Sequence, residues 1–76
     1  MNIPLSSLPV GKSAIVYSLS VKGSERRRFL DLGIVPGTKI SALHTSPFGD
    51  PTAYLIRGAV IALRREDASK INMDII

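Results

Sequence analysis

The chain has no cysteine and a single histidine, His44, which closes two of the commonest routes to a functional site in a small protein. Without thiols there is no disulfide framework and no thiolate metal site, so stability must come from a core drawn from the 45% of hydrophobic residues. A first-row transition metal normally takes three or four ligands that include imidazole or thiolate. Here one imidazole is accompanied by scattered acids, Glu25, Asp31, Asp50, Glu66, Asp67 and Asp74, of which only Glu66 and Asp67 adjoin. No metal ligand set is expected, and His44 reads as a half-exposed strand residue. A hydrolytic triad would need a histidine base beside a nucleophile, and no G-x-S-x-G elbow, phosphate-cradling glycine loop or geometrically defined carboxylate pair is present. Neither an enzyme nor a cofactor is expected. Long apolar runs are missing as well: none approaches the roughly 20 residues of a membrane span. The opening Met1-Asn2-Ile3-Pro4 has neither the basic n-region nor the apolar core of a signal peptide, so a cytoplasmic protein without membrane insertion is expected.

What is present fits one domain spanning residues 1–76, short enough to bury only about 60% of the surface its unfolded chain exposes. A net charge of +4 and a pI near 10.0 point to acidic partners in general, whether protein, nucleic acid or lipid headgroup.

The most informative stretch runs from Arg26 to Lys39. Ser24 is placed to cap a helix, Glu25 follows it, and Phe29, Leu30 and Leu32 crowd one side of the turns beyond. Gly33 sits where a left-handed residue would end that helix, with Ile34 folding back onto Phe29 in a Schellman-type stop. In Val35-Pro36-Gly37-Thr38 the proline presets the first central position of a type II turn and the glycine takes the positive φ of the second, so a strand should leave from Thr38.

Around this stretch the chain reads as β-structure. Residues 1–11, with Pro4, Pro9 and Gly11, form a turn-rich lead-in that packs through Leu5 and Leu8 rather than pairing. Ser13 to Leu19 is a strand with apolar residues on both faces, as in a small closed barrel. Lys39 to Thr45 and Thr52 to Arg57 make a hairpin around the loop Ser46-Pro47-Phe48-Gly49-Asp50-Pro51. Arg57-Gly58 marks a tight reversal, the apolar run Ala59 to Leu63 a central strand, Glu66 to Lys70 one helical turn, and Met73 to Ile76 a last strand. The fold class is therefore all-β, a small barrel of about five strands with one short helix. Leu8-Pro9-Val10-Gly11-Lys12 echoes the later Pro-Gly turn, as repeated turn chemistry rather than a sequence repeat.

Two local rule-breaks mark candidate contact residues. Arg26, Arg27 and Arg28 fall in the first turn of the expected helix, where each positive charge opposes the macrodipole at about 0.3 to 1 kcal/mol if exposed. Glu25 offsets part of this, Asp31 can pair with Arg27, and the alternative to binding is that Arg26 lays its stem along the barrel while Arg27 and Arg28 are solvated. Arg64 and Arg65 either extend this basic surface or form a local ion-pair cluster with Glu66 and Asp67. Phe48 is a large aromatic at a loop tip; it is either a contact or a cap folded over one end of the barrel. Tyr17 and Tyr54 read as strand packing.

Three spaced motifs carry a family resemblance: Leu30-x-Leu32-Gly33-Ile34-x-Pro36-Gly37, then Pro47-x-Gly49-Asp50-Pro51, then Ile61-Ala62-Leu63-Arg64 with Ala68-x-x-Ile71. In this order and spacing, from about Leu8 to Asp74, the chain resembles the FeoA family. The resemblance implies an SH3-like barrel, shared with the C-terminal domain of iron-dependent repressors of the diphtheria-toxin type. It also implies a cytoplasmic accessory of the FeoB ferrous-iron transporter that acts by protein contact with the G-domain region. The matched positions Gly33, Pro36, Gly37, Gly49 and Pro51 are turn residues, and no family ligand set maps onto this chain. A polyproline groove is not implied, because such grooves are lined by several aromatics and this chain has two Tyr, two Phe and no Trp. A nucleic-acid or repressor-type regulatory domain is the alternative raised by the basic pI, but arginines and aromatics lie mostly in different segments, so nucleic acid is not expected as a partner.

Overall fold

A helix stop and a tight turn place everything else in this molecule. In the computed structural model, which describes residues 2–75, α1 spans Gly23–Asp31 and ends as the sequence requires. Gly33 has φ +89°, its N–H donates to the Leu30 carbonyl, and the Ile34 N–H donates to the Phe29 carbonyl, the two bonds of a Schellman stop. Phe29 and Ile34 are both fully buried, which supplies the apolar contact that accompanies this motif. The Thr38 N–H then closes onto Val35, with Gly37 at φ +94°, and the Thr38 hydroxyl donates back to the Gly33 carbonyl at 3.1 Å. The turn docks sideways as well: Gly37 N–H donates to Val16 and Val16 N–H to Thr38, each at 2.8 Å.

The strands are β1 (Asn2–Pro4), β2 (Ser13–Leu19), β3 (Lys39–Thr45), β4 (Thr52–Ile56), β5 (Ala59–Leu63) and β6 (Ile71–Ile75). They form one antiparallel sheet in the order β1-β6-β2-β3-β4-β5. A 3₁₀ turn at Leu5–Ser7 lies against α2, the single helical turn Arg65–Ala68, which brings the two ends of the curled sheet together. The core inside is built from Leu5, Val16, Phe29, Ile34, Ile40, Ile56, Ile71 and Met73. Burying a side chain of this size contributes about 1.5–3 kcal/mol.

Four expectations need correction. The lead-in pairs as well as packs: Asn2, Ile3 and Pro4 lie opposite Asp74, Met73 and Asn72, giving a sixth strand. Leu5 and Leu8 are buried as expected. Proline is compatible with this site because β1 is an edge strand and can dispense with a donor. The run Ala59 to Leu63 is an edge strand, not a central one, and much of it is exposed. The last strand starts earlier, at Ile71, and Ile76 lies outside the described residues. Finally, Ser24 does not cap α1: the N-cap is Lys22, without a side-chain bond, and the chain enters the helix through Gly23 at φ +63°. Glycine accepts that conformation with no steric penalty, so a capping side chain is not what turns the backbone here.

Candidate functional site

Starting the helix at Gly23 leaves Arg26 at the end of its first turn and moves Arg27 and Arg28 beyond it, with Arg28 in the last turn. The macrodipole penalty expected for them therefore lapses at Arg27 and Arg28, and at Arg28 the field is favourable. Arg28 places a guanidinium nitrogen 3.3 Å from the Asp67 carboxylate, with its guanidinium carbon 5.2 Å from the Phe29 ring centroid. It joins α1 to α2 over the core aromatic, the kind of covering role that the alternative to binding gives to Arg26. Glu25 is engaged elsewhere, accepting a 2.7 Å hydrogen bond from the Lys70 ammonium, and that bond above all holds the Lys70 pKa above its ordinary value. The anticipated Arg27–Asp31 pair does not form. Among the described residues, Arg26 and Arg27 are exposed and in no ion pair.

The loop between β3 and β4 is closed by its own polar groups. The Ser46 hydroxyl donates to the Asp50 carbonyl at 2.7 Å, the Gly49 N–H to Ser46 at 2.9 Å, and the Ser46 N–H to Pro51 at 3.1 Å. Gly49 has φ +87° and the Asp50–Pro51 peptide is cis. Phe48 projects from the tip with 95% of its surface exposed, so it does not cap the barrel. The barrel end beneath the loop is already filled by Tyr54, which is buried close to Gly49, Thr52 and Arg65. Burial pushes the Tyr54 phenol up, against the smaller opposing effects of a hydrogen bond with Thr52 and the charge of Arg65. Tyr17, by contrast, is 60% exposed.

Asp50 couples this loop to α2. One carboxylate oxygen accepts the Arg65 backbone N–H at 2.8 Å and the other lies 3.9 Å from the Arg64 guanidinium, beside an open cleft lined also by Glu66 and Ser69. Of the two readings of the sequence, the local ion pair holds for Arg64, whose partner is Asp50 rather than the adjacent acids, whereas Arg65 meets Asp50 through its backbone N–H. α2 consequently connects the arginine run to the loop that displays Phe48: Asp67 holds Arg28 of α1, and the Arg65 N–H, with Arg64 beside it, holds Asp50 of the loop. The sequence marks Asp50 as a position of the Pro47-x-Gly49-Asp50-Pro51 motif but not in this role, since it acts across 15 residues. His44 is exposed on β3 opposite Ala53, and among the described residues no group of three or more His, Cys, Asp or Glu could hold a metal ion. Nor is any described helix long and apolar enough to cross a membrane.

Comparison with known proteins agrees with this geometry. The sequence profile of the FeoA domain matches residues 3–74. A fusion protein of Porphyromonas gingivalis, Fe(2+) transport protein A joined to the Fe(2+) transporter FeoB, is 38% identical over 72 residues; the match covers 95% of this chain and 8% of that protein. The solution structure of the FeoA protein from Chlorobium tepidum superposes with a TM-score of 0.89 at 36% identity, covering 97% of this chain and 70% of that one. FeoA of Stenotrophomonas maltophilia, solved with zinc and described as a procaryotic SH3 domain protein, gives a TM-score of 0.82 at 29% identity, covering 97% and 89%. The curled six-stranded sheet is thus SH3-like, and with nearly the whole length matched, the chain belongs to the FeoA family.

Proposed function

We propose that this chain is a cytoplasmic accessory of a FeoB-type ferrous iron transporter, acting through contact with the transporter's cytosolic G-domain region rather than through catalysis or a bound cofactor. The observation that supports this most is the Porphyromonas fusion, in which a similar segment and FeoB share one polypeptide. Covalent linkage raises the effective concentration of one module at the other, which is useful only where the two work at the same place. A role as a bacterial ferrous iron transport activating factor has been considered for the Stenotrophomonas protein, which points the same way.

On this reading Arg26 and Arg27, exposed and in no ion pair among the described residues, meet an acidic surface. Phe48 meets an apolar patch within it, and Arg28 contributes mainly by fixing α1 to α2. The test mixes the purified protein with the soluble G-domain region of its transporter at low and high salt. Association should weaken with salt and slow most in the Arg26→Ala, Arg27→Ala double variant. An absence of binding at any salt would overturn the proposal. Binding to duplex DNA instead, lost in the double variant, would favour the nucleic-acid reading.

A further inference from the structure

The sheet has two edges, and they are finished differently. β1 is three residues long and ends in Pro4, which has no N–H to offer a passing strand. β5 is five residues long, contains no proline and no charge, and pairs with β4 on one side only. The two-residue reversal at Arg57-Gly58, where both φ angles are positive, fixes its hydrogen-bond phase. In such a hairpin the flanking pair, Ile56 and Ala59, is hydrogen-bonded, and so in alternation are Tyr54 with Ile61 and Thr52 with Leu63. Val60 and Ala62 therefore turn their N–H and C=O groups away from β4, and no strand among the described residues meets them.

The side chains beside this edge are apolar without serving the core. Val60 is 63% exposed and lies directly opposite Leu55, itself exposed, while Ala62 lies opposite Ala53. Leu43, at the β3 bulge, is exposed too. Short strands, proline and charge are the usual devices that keep an edge from pairing, and β1 uses two of them where β5 uses none.

Charge identifies the occupant. Pairing β5 with a second copy about Ile61 would set Val60 opposite Ala62 of the other copy and bring the Arg57 reversal at one end of the strand beside the Arg64-Arg65 end of the other, twice by symmetry. Like charges crowded at both ends of the pair repel, and this chain already carries a net +4. Arg57 stands before the strand and Arg64 after it; Arg64, though 3.9 Å from Asp50, keeps 67% of its side chain exposed. We infer that β5 is a strand-addition site for an extended segment of a partner protein, apolar in alternate positions and acidic at both ends. The inference does not depend on the partner being the transporter.

The probe is a synthetic peptide in which valine and threonine alternate between terminal pairs of aspartates, with a lysine-flanked peptide as control. Added to the isotopically labelled protein, the acidic peptide should slow hydrogen exchange at the Val60 and Ala62 amides by about tenfold or more, while Ala59, Ile61 and Leu63 change little. Ala62→Pro removes an outward N–H without touching the β4 ladder and should abolish the effect. Val60→Lys, which leaves the backbone intact, should weaken it even if the proline variant folds poorly. Unchanged exchange at Val60 and Ala62, equal protection by the lysine-flanked peptide, or protection surviving both variants would each overturn the inference. Protection that grows with protein concentration alone, with a doubled mass in sedimentation, would assign the edge to a second copy and overturn it too.

Discussion

The turn from Gly33 to Thr38 and the loop from Ser46 to Pro51 are both punctuated by glycine and proline, yet the first is drawn into the body of the protein and the second is held off it. The difference lies in where their hydrogen bonds go. Those of the first turn reach α1 and β2: Ile34 to Phe29, Gly37 to Val16, and Val16 to Thr38. Those of the loop mostly close on themselves, through Ser46, Gly49, Asp50 and Pro51, and only the Asp50 carboxylate reaches another element. A turn bonded outward organises a fold, whereas a loop bonded inward is a pedestal. Phe48 is what this pedestal presents.

The sharpest way to break this contrast is to add a methyl group to each turn. At Gly33 a Cβ would meet a left-handed backbone and also the Arg57 side chain, whose Cδ would lie 2.6 Å away. Gly49 has nearly the same φ but nothing within 4 Å of the added atom. Gly33→Ala should therefore lose the roughly 1–2 kcal/mol of the left-handed penalty and more, whereas Gly49→Ala should lose the backbone penalty alone. Urea denaturation of both variants decides the matter. Equal losses would mean that Arg57 moves aside freely, and no loss at Gly33 would remove that turn from its organising role.

Next in size is Asp50→Ala, which unpins the loop from α2. One hydrogen bond to a backbone N–H is removed, worth about 1 kcal/mol, and the Arg65 amide should exchange faster with solvent. Asp50→Asn keeps an acceptor and should recover most of the loss. The first turn should not respond to either change, and faster exchange at Thr38 would show that the two regions are not independent.

A smaller effect is expected from pH. The buried Tyr54 phenol beneath the loop has its pKa raised above the ordinary value of 10.0, so the folded state keeps its proton longer than the unfolded chain does. Stability is then fully present below that value and declines as pH rises from it through the folded pKa. The raised pKa of Lys70 acts in the same alkaline direction. Tyr54→Phe should flatten part of the decline in thermal stability above about pH 10. A decline unchanged by that substitution would place the alkaline sensitivity elsewhere.

The legible parts of this molecule were the local ones. Gly33, Pro36 and Gly37 announce their conformations within a few residues, and so do the 46–51 loop and the Arg57-Gly58 reversal, because positive φ and preset proline angles are properties of the residue itself. β1 was hidden because its partner lies at the other end of the chain. The continuous apolar run of β5 resembled a strand covered on both sides, since composition records apolar faces but not whether a neighbour covers them. The arginine run was visible as charge, but its division into an engaged Arg28 and exposed Arg26 and Arg27 depends on Asp67, which only the fold brings to Arg28.

The smallest effect on stability should come from Phe48→Ala, and it tests the contrast from the other side. A side chain 95% exposed has almost no contacts to lose, and surface substitutions away from special features usually fall within about 0.5 kcal/mol of zero. The variant should unfold at the same urea concentration as the parent. An aromatic anchored in a partner's pocket, in contrast, can contribute 2 kcal/mol or more, about thirtyfold in affinity, and its loss is expressed mainly in the dissociation rate. With the transporter's G-domain region as partner, Phe48→Ala should leave the association rate nearly unchanged and speed release. A loss of stability above about 1 kcal/mol would mean that the tip is packed and the loop is no pedestal. Unchanged stability with unchanged release would leave the loop a pedestal whose aromatic the partner does not use, and would shift the contact onto Arg26 and Arg27.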